Sequence, residues 1–265
     1  MNTLSLTEIP SEGIFLMMNP LEQFQIVPLI ALYVGAMDFS FTNSALIGSM
    51  GVGFFILLGR IVLMEGNGNL VPSRWQTIYE GIYTLVSGLL SDNVGPRGQA
   101  FLPFIFVLFS FLLTSNLIGM VPYSFTITSH IIVTLFFSLM VYVGVMIILF
   151  REHKFHGMSL FLPPGAPIAL WPLLIAIEFI SNVMRVVSLS VRLFANMMAG
   201  HILLKVLLGF AWTMMMAGGA LFILHFIPLG VVFVLLFLET AVAVIQAYVF
   251  ATLTCIYLNE SIHLH

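Results

Sequence analysis

Three long apolar stretches divide the first 150 residues of the chain. Residues 44–64, 101–121 and 130–150 are each predominantly apolar. A helix needs about 20 apolar residues to cross the hydrocarbon core of a bilayer. Each stretch therefore predicts one upright transmembrane helix.

The segment between the first two stretches has a different pattern. In residues 74–91, apolar side chains from Trp75 to Leu89 recur at helical spacing, with polar ones such as Gln76 and Glu80 opposite them. This pattern predicts an amphipathic helix that lies on the membrane surface. A peripheral helix packed on the protein, without lipid contact, would show the same pattern.

The composition narrows the class of protein. Hydrophobic residues make up 60% of the 265 positions and charged residues only 7%, against about 25% charged in soluble domains. We therefore predict an all-α polytopic membrane protein. The net charge of −3 and the single cysteine, Cys255, exclude a polybasic nucleic-acid surface and a thiolate metal site, and we predict no cofactor.

The N-terminus and the loops set the predicted orientation. No Lys or Arg precedes Arg60, so we expect neither a basic signal peptide nor an Arg-rich transit peptide. For residues 1–43 we predict either an irregular arm at the membrane surface or a short mobile tail. Cytoplasmic-side loops collect Lys and Arg. If the three spans cross the membrane in alternating directions, all four loop cations lie on the same side of the membrane: Arg74, Arg97, Arg151 and Lys154. The N-terminus is thus predicted outside and residues 151–166 inside.

Ionisable residues interrupt the apolar C-terminal third. On a helix, four polar residues of this region, three of them ionisable, would lie within about 40° of one another around the helix axis: Glu178, Arg185, Arg192 and Asn196. His201 lies about 180° from Arg192. An Arg at the centre of a transmembrane helix raises the free energy of membrane insertion by about 2.5–3.5 kcal/mol, so such residues normally face a partner or a water-filled cavity. We predict that Arg192 is functional, and that Arg185 is a second cation with either a functional or a structural role.

The polar residues also pair symmetrically about one turn. The pairs Arg192–Gln246, His201–Glu239 and Glu178–Glu260 are each centred on residue 219 or 220, where Gly218-Gly219 is a natural turn. This symmetry predicts an antiparallel helical hairpin over residues 167–258. Limbs of about 40–50 residues would be about 60–75 Å long, against a core of about 30 Å, so the hairpin must be strongly tilted.

Two offset polar paths result from this arrangement. Glu178 and Glu260 lie toward the inside, His201 and Glu239 toward the outside, and Arg192 between them. A fixed positive charge is a barrier to protons in an ordinary channel. The pattern therefore favours a carrier group outside this chain that moves between the two paths.

The run from Ser188 to His201, SLSVRLFANMMAGH, closely resembles the signature of the a subunits of F-type ATP synthases. The similarity extends from about Asn19 to the C-terminus, and the other family-like stretches are residues 115–122, 125–130, 239–250 and 256–260. The resemblance implies that Arg192 is the essential coupling arginine facing a rotating ring of c subunits. It assigns the remaining site residues to two proton paths: Asn196, His201, Glu239 and Gln246 on the outer side, and Glu178 and Glu260 on the inner side.

The resemblance also implies the function and the partners. The chain would be a proton-translocating stator subunit with two offset half-channels and no ATP site of its own. Its partners would be the c ring, the peripheral-stalk subunit b, other membrane-sector subunits and lipid, in a large complex that can be dimeric. His201 and Glu239 are exchanged relative to bacterial members, which implies the mitochondrial inner membrane, with the N-terminus in the intermembrane space and the C-terminus in the matrix.

The sequence is less consistent with two other classes of membrane protein. A secondary transporter with an Arg-bound anionic substrate also uses charges at the midplane. The chain shows no inverted repeat, however, and both polar limbs lie in one half of it. A haem-binding subunit needs axial ligands, and the histidines offer no repeated pair on two helices.

Overall fold

The architecture is known from a computed structural model, which describes residues 22–34, 37–66, 73–121, 124–154 and 171–262. Along these ranges the α-helices are α1 (Asn43–Gly66), α2 (Arg74–Val94), α3 (Leu102–Gly119), α4 (Ile131–His153), α5 (Trp171–Ala217), α6 (Ala220–Leu224) and α7 (Phe226–Ile262). Short 3-10 turns occupy Glu22–Phe24, Pro96–Phe101 and Ile127–Ser129.

Five segments in the described ranges are long and apolar enough to cross a membrane. They are Asn43–Val62, Pro96–Gly119, Ile131–His153, Trp171–Ala217 and Leu221–Ile262. The prediction of an all-α polytopic membrane protein is confirmed.

The helices α1, α3 and α4 lie where the sequence predicts upright spans at 44–64, 101–121 and 130–150. The largest difference is at the end of α4, which continues to His153. Arg151 and His153 occupy its last turn, where positive charge interacts favourably with the helix dipole. The apolar pattern alone stops short of this charged turn.

The described part of the N-terminal arm forms two small antiparallel ribbons. Strand β1 (Pro28–Ile30) pairs with β4 (Phe41–Thr42), and β2 (Tyr33–Val34) pairs with β3 (Met37–Asp38). Asn43 ties this arm to α1, because its Nδ2 donates to the carbonyl oxygen of Gln25 at 3.1 Å. Residues 1–21 of the predicted arm lie outside the described ranges.

The amphipathic helix α2 packs along only part of its length. It begins after Ser73, whose side chain accepts a hydrogen bond from the amide of Gln76, as an N-cap residue does. Its C-terminal half buries Val86, Leu89, Leu90 and Val94 in a core shared with α3 and α7. In the N-terminal half, Trp75 is 50% exposed and Ile78 52%. The helix thus has a protein-packed end and an exposed apolar end, and its position on the membrane surface remains a prediction.

The long helices α5 and α7 run antiparallel and pack against each other. Gly218 and Gly219, which lie between them, have φ of +68° and +62°, a conformation that favours glycine. His225 follows α6, and its Nδ1 contacts the carbonyl oxygen of Phe222. Helix α5 has 47 residues and α7 has 37, about 70 and 55 Å at 1.5 Å per residue. These lengths exceed the bilayer core, so the predicted tilt still follows.

Small residues bring α7 close to its neighbours. Ala243, Ala247 and Ala251, each four residues apart, are completely buried. Such a row lets helices approach closely. Leu193 on α5 and Phe250 on α7 fill the adjoining core, and this packing fixes the register that positions the polar side chains of the hairpin.

Candidate functional site

His201 on α5 and Glu239 on α7 form the centre of a polar site. The Nδ1 atom of His201 lies 3.7 Å from Oε1 of Glu239, and the two side chains are only 15% and 6% exposed. Within the described ranges, neither carboxyl oxygen of Glu239 has a hydrogen-bond partner. A buried carboxylate is costly without such partners. The pair is therefore placed to exchange a proton, directly or through water.

Gly200 makes room for the carboxyl group of Glu239. A Cβ atom at position 200 would lie 2.6 Å from Oε1 of Glu239 and 2.8 Å from its Cδ. Such contacts are shorter than van der Waals packing allows. The glycine that precedes His201 in the signature run thus leaves space for this carboxyl group, which would have to move if position 200 carried a side chain.

The loop between α3 and α4 adds a third polar group to this pair. The Oγ1 atom of Thr126 lies 3.0 Å from Nε2 of His201, and Thr126 is 3% exposed. The ring of Phe24, from the N-terminal arm, meets the His201 ring edge-on with centroids 6.3 Å apart. His201 is therefore held between α7, this loop and the arm.

One turn before His201 along the hairpin, an amide pair joins α5 to α7. Asn196 donates from Nδ2 to Oε1 of Gln246 at 3.0 Å, and Gln246 is 4% exposed. The buried side chain of Asn116, on α3, donates to the carbonyl oxygen of Ala243 at 3.1 Å. These bonds hold the segment of α7 between Glu239 and Gln246 against α3 and α5.

Arg192 lies on the exposed face of α5. It is near the middle of this helix, about 30 Å from the start at 1.5 Å per residue. Small side chains surround it on the same face, at Ser188, Ala195 and Ala199, and all three are exposed. Among the described residues, no acidic side chain forms an ion pair with Arg192. The guanidinium is thus open to a group outside this chain.

Arg185 and Glu260 form the inner polar group. Nη1 of Arg185 donates to Oε2 of Glu260 at 2.7 Å, with side chains 35% and 43% exposed. The guanidinium lies 5.5 Å from the centre of the Tyr257 ring, within the range of a cation–π contact. The predicted inner acid Glu178, two turns before Arg185, is half-buried and takes no part in this ion pair.

An open cleft extends from Arg192 to Arg185, the cation of the inner ion pair. Its volume is ≈340 Å³, enough for several water molecules. Arg185 and Arg192 both line it, together with Ser181, Met184, Ser188, Leu189, Leu253 and Tyr257. A second cavity reaches the other side of Arg185 and Glu260 and includes Asn182, whose Nδ2 atom is buried without a described partner.

The polar residues therefore gather in two places along the hairpin. His201, Glu239, Asn196 and Gln246 meet toward its turn, and Arg185 with Glu260 toward its open end, with Arg192 between. In the part of the chain that the structure describes, no three His, Cys, Asp or Glu side chains come together to hold a metal ion. Sequence reasoning did not single out Thr126, Asn116, Gly200 or Tyr257.

Comparisons with known proteins agree on one family. The sequence profile of the family described as ATP synthase A chain matches residues 46–259. The chain is 53% identical over 247 residues to the ATP synthase subunit a of Pylaiella littoralis, covering 93% of this chain and 99% of that protein. It is 47% identical over 251 residues to that of Chondrus crispus, covering 95% and 98%. For Paramagnetospirillum magneticum the identity is 46% over 253 residues, covering 94% and 100%.

Proposed function

This chain belongs to the ATP synthase A chain family, and on that basis we propose that it passes protons to and from a ring of c subunits through two offset half-channels. Membership places it among the membrane-sector subunits of F-type ATP synthase. In this proposal Arg192 separates the half-channels, so that proton flow is coupled to rotation of the ring. The secondary-transporter alternative gains no support from the structure or from the comparisons.

The exposed guanidinium of Arg192 is the observation that carries the proposal. A charged side chain at mid-membrane depth is costly in hydrocarbon, and Arg192 has no acidic partner among the described residues. The small side chains beside it allow another helix to approach closely. A carboxylate on a neighbouring rotor helix would supply the missing charge.

Electrostatics explains how Arg192 would prevent a short circuit. At ~4 Å and an effective dielectric near 20, two unit charges attract by roughly 4 kcal/mol. This favours the ionised form of a passing rotor carboxylate by about a thousandfold, so the proton must leave before the carboxylate passes. Arginine suits this role better than lysine because it keeps its charge when buried.

The two polar groups would serve as the two half-channels. His201 and Glu239 would deliver protons from the outer side, with Asn196 and Gln246 lining the approach to the ring. Glu178, Arg185 and Glu260 would receive protons on the inner side, through the cleft that reaches Arg192. Protons could then cross only by travelling with the ring from one group to the other.

The location and partners follow from the same proposal. With the loop cations on the inner side, the N-terminus would lie outside and the C-terminus inside, which in a mitochondrion are the intermembrane space and the matrix. The multi-pass chain would lie in the inner membrane, beside the c ring, the peripheral-stalk subunit b and the other membrane-sector subunits, in a complex that can dimerise.

Cross-linking to the ring tests this proposal. Ala195→Cys, beside Arg192, should cross-link to a cysteine placed next to the carboxylate of the c subunit in the intact complex, with the buried native Cys255 replaced by Ala. Val143→Cys on α4 is a matched control, since Val143 is also exposed but lies on another helix. Cross-linking at position 143 and not at position 195 would overturn the proposal.

A further inference from the structure

Thr126 makes the contact with His201 that the proposed function leaves unexplained. Its Oγ1 lies 3.0 Å from Nε2 of His201 and 3.4 Å from the carbonyl oxygen of Gly119. The carbonyl belongs to the last turn of α3, where helix carbonyls lack a donor within the helix. The threonine hydroxyl thus bridges a helix end and the imidazole ring.

The hydrogen count at Thr126 relates the form of the imidazole to the direction in which the hydroxyl donates. A hydroxyl has one hydrogen to donate, and a carbonyl oxygen can only accept. When Oγ1 donates to Gly119, it accepts from His201, so Nε2 carries the hydrogen. The neutral ring then has its lone pair at Nδ1, the atom that faces Glu239 at 3.7 Å. The partner of one ring nitrogen sets the role of the other.

The surroundings hold the Thr126 hydroxyl in this position. A Cβ atom at position 119 would lie 2.7 Å from Cγ2 of Thr126 and 3.0 Å from Oγ1, so Gly119 is what lets the loop lie against the end of α3. The hydroxyl of Ser129 donates to the carbonyl oxygen of Thr126 at 2.6 Å. Thr126 is therefore fixed by its own loop and does not depend on His201 for its position.

We propose that Thr126 is a positioning residue that holds His201 as the Nε2-protonated tautomer, so that Nδ1 alone exchanges a proton with Glu239. This inference rests on the proposed function, because the proton exchange between His201 and Glu239 is part of the proposed outer half-channel. When the imidazolium meets the ionised carboxylate, the Nδ1–H bond breaks and an O–H bond forms on Glu239. Neutral imidazole and neutral carboxyl group remain, and Nε2 keeps its hydrogen throughout. Spanning 3.7 Å requires a small side-chain movement or one bridging water.

Several titratable groups lie near the imidazole and must be kept constant in a test. Glu239 faces the ring from α7, and Lys205 lies one turn further along α5. His130 belongs to the same loop as Thr126, where it stacks on Phe125 with centroids 5.1 Å apart. Burial lowers the pKa of His130, which favours its neutral form. The threonine variants below leave all three groups unchanged.

The test uses three variants of the intact complex in proteoliposomes. Thr126→Val removes the hydroxyl at nearly constant volume, and Thr126→Ser retains it. Thr128→Val is the matched control, since Thr128 is buried in the same loop and its hydroxyl has no hydrogen-bond partner among the described residues. ATP-driven proton pumping gives the rate. Solid-state NMR of isotope-labelled histidine gives the tautomer, with the His201 signal identified by its loss in His201→Asn.

The expected results separate positioning from simple packing. Wild type, Thr126→Ser and Thr128→Val should show hydrogen at Nε2 only. Thr126→Val should show a mixture of tautomers and pump about three- to tenfold more slowly, the range expected for one hydrogen bond. Hydrogen at Nδ1 in the wild-type protein would overturn the inference. So would a normal rate or an unchanged tautomer in Thr126→Val.

A further variant distinguishes failure of this inference from failure of the proposed function. Glu239→Gln should stop pumping if the outer half-channel is correctly assigned, whatever the tautomer of His201. If Glu239→Gln pumps normally, the proposed function fails, and the purpose assigned to Thr126 fails with it. If Glu239→Gln is inactive but Thr126→Val behaves as wild type, only the positioning role is refuted.

Discussion

His201 and Glu239 lie on opposite limbs of the helical hairpin, yet Nδ1 of one is 3.7 Å from Oε1 of the other. The contact exists because α5 and α7 pack antiparallel and because Gly200 offers no side chain at their crossing. The two groups have complementary proton-transfer chemistry and are largely buried. Their relationship is the geometric basis of the proposed outer half-channel.

Exchanging these two residues should preserve their contact. His201→Glu and Glu239→His should each reduce ATP-driven proton pumping strongly, because each single variant pairs two like groups. The double variant restores one carboxyl group and one imidazole and should recover part of the activity. A double variant no more active than either single one would count against direct cooperation between the two positions.

A methyl group at Gly200 should displace the Glu239 carboxyl group. The carboxyl group is the flexible end of a side chain and can move away from the methyl group. Gly200→Ala should therefore increase the distance between Glu239 and His201 and slow proton pumping severalfold, while the complex stays folded. Gly209→Ala on the same helix is the control, since a Cβ there meets nothing within 4 Å. That variant should pump normally. Equal rates for the two alanine variants would show that the close approach has no functional role.

The Arg185–Glu260 ion pair should contribute more to activity than to stability. Its side chains are 35% and 43% exposed, and exposed ion pairs contribute about 0–1 kcal/mol. Glu260→Gln should therefore leave the thermal unfolding of the complex nearly unchanged while slowing proton release on the inner side. Thermal unfolding and pumping measured on the same preparation give both quantities. Strong destabilisation with a normal pumping rate would reverse this assignment.

The antiparallel register of the hairpin can be measured by cross-linking within the chain. Asn196→Cys and Gln246→Cys should react together with a short bifunctional thiol reagent in a Cys255→Ala background, because these side chains are in contact. Asn196→Cys with Ile223→Cys is the control pair, since Ile223 is exposed on α6 beyond the turn. The opposite cross-linking pattern is incompatible with the described register.

The long helices could be predicted from the sequence, because long apolar runs in a chain with 7% charge have few alternatives, whereas the five-residue α6 (Ala220–Leu224) was not predicted. The symmetry of polar residues about Gly218-Gly219 placed His201 level with Glu239, and the structure brings this pair into contact. The surface on which the apolar face of α2 packs could not be predicted, because a lipid surface and a protein core favour the same amphipathic pattern. Val86 is fully buried and Ile78 half exposed on one predicted face.

Thr126 and Asn116 lie in family-like stretches of the sequence, but their individual contacts could not be predicted, for a different reason. Each acts through a single hydrogen bond to another segment, Thr126 from a loop and Asn116 from the middle of a span. Such bonds leave no periodic pattern, and they depend on how α3, α5 and α7 pack together. The ion pair of Glu260 could not be predicted either. The symmetry of the hairpin places Glu260 level with Glu178, whereas the ion pair forms with Arg185.

Arg192 is proposed to couple proton flow to rotation, and the most direct test of this role is ATP synthesis driven by a proton gradient in proteoliposomes with Arg192→Ala. We predict that this variant loses coupled synthesis, because no fixed cation then separates the two half-channels. Arg60→Ala, which removes an exposed cation from α1, should synthesise ATP at nearly the wild-type rate. Coupled synthesis at the wild-type rate in Arg192→Ala would contradict the claim.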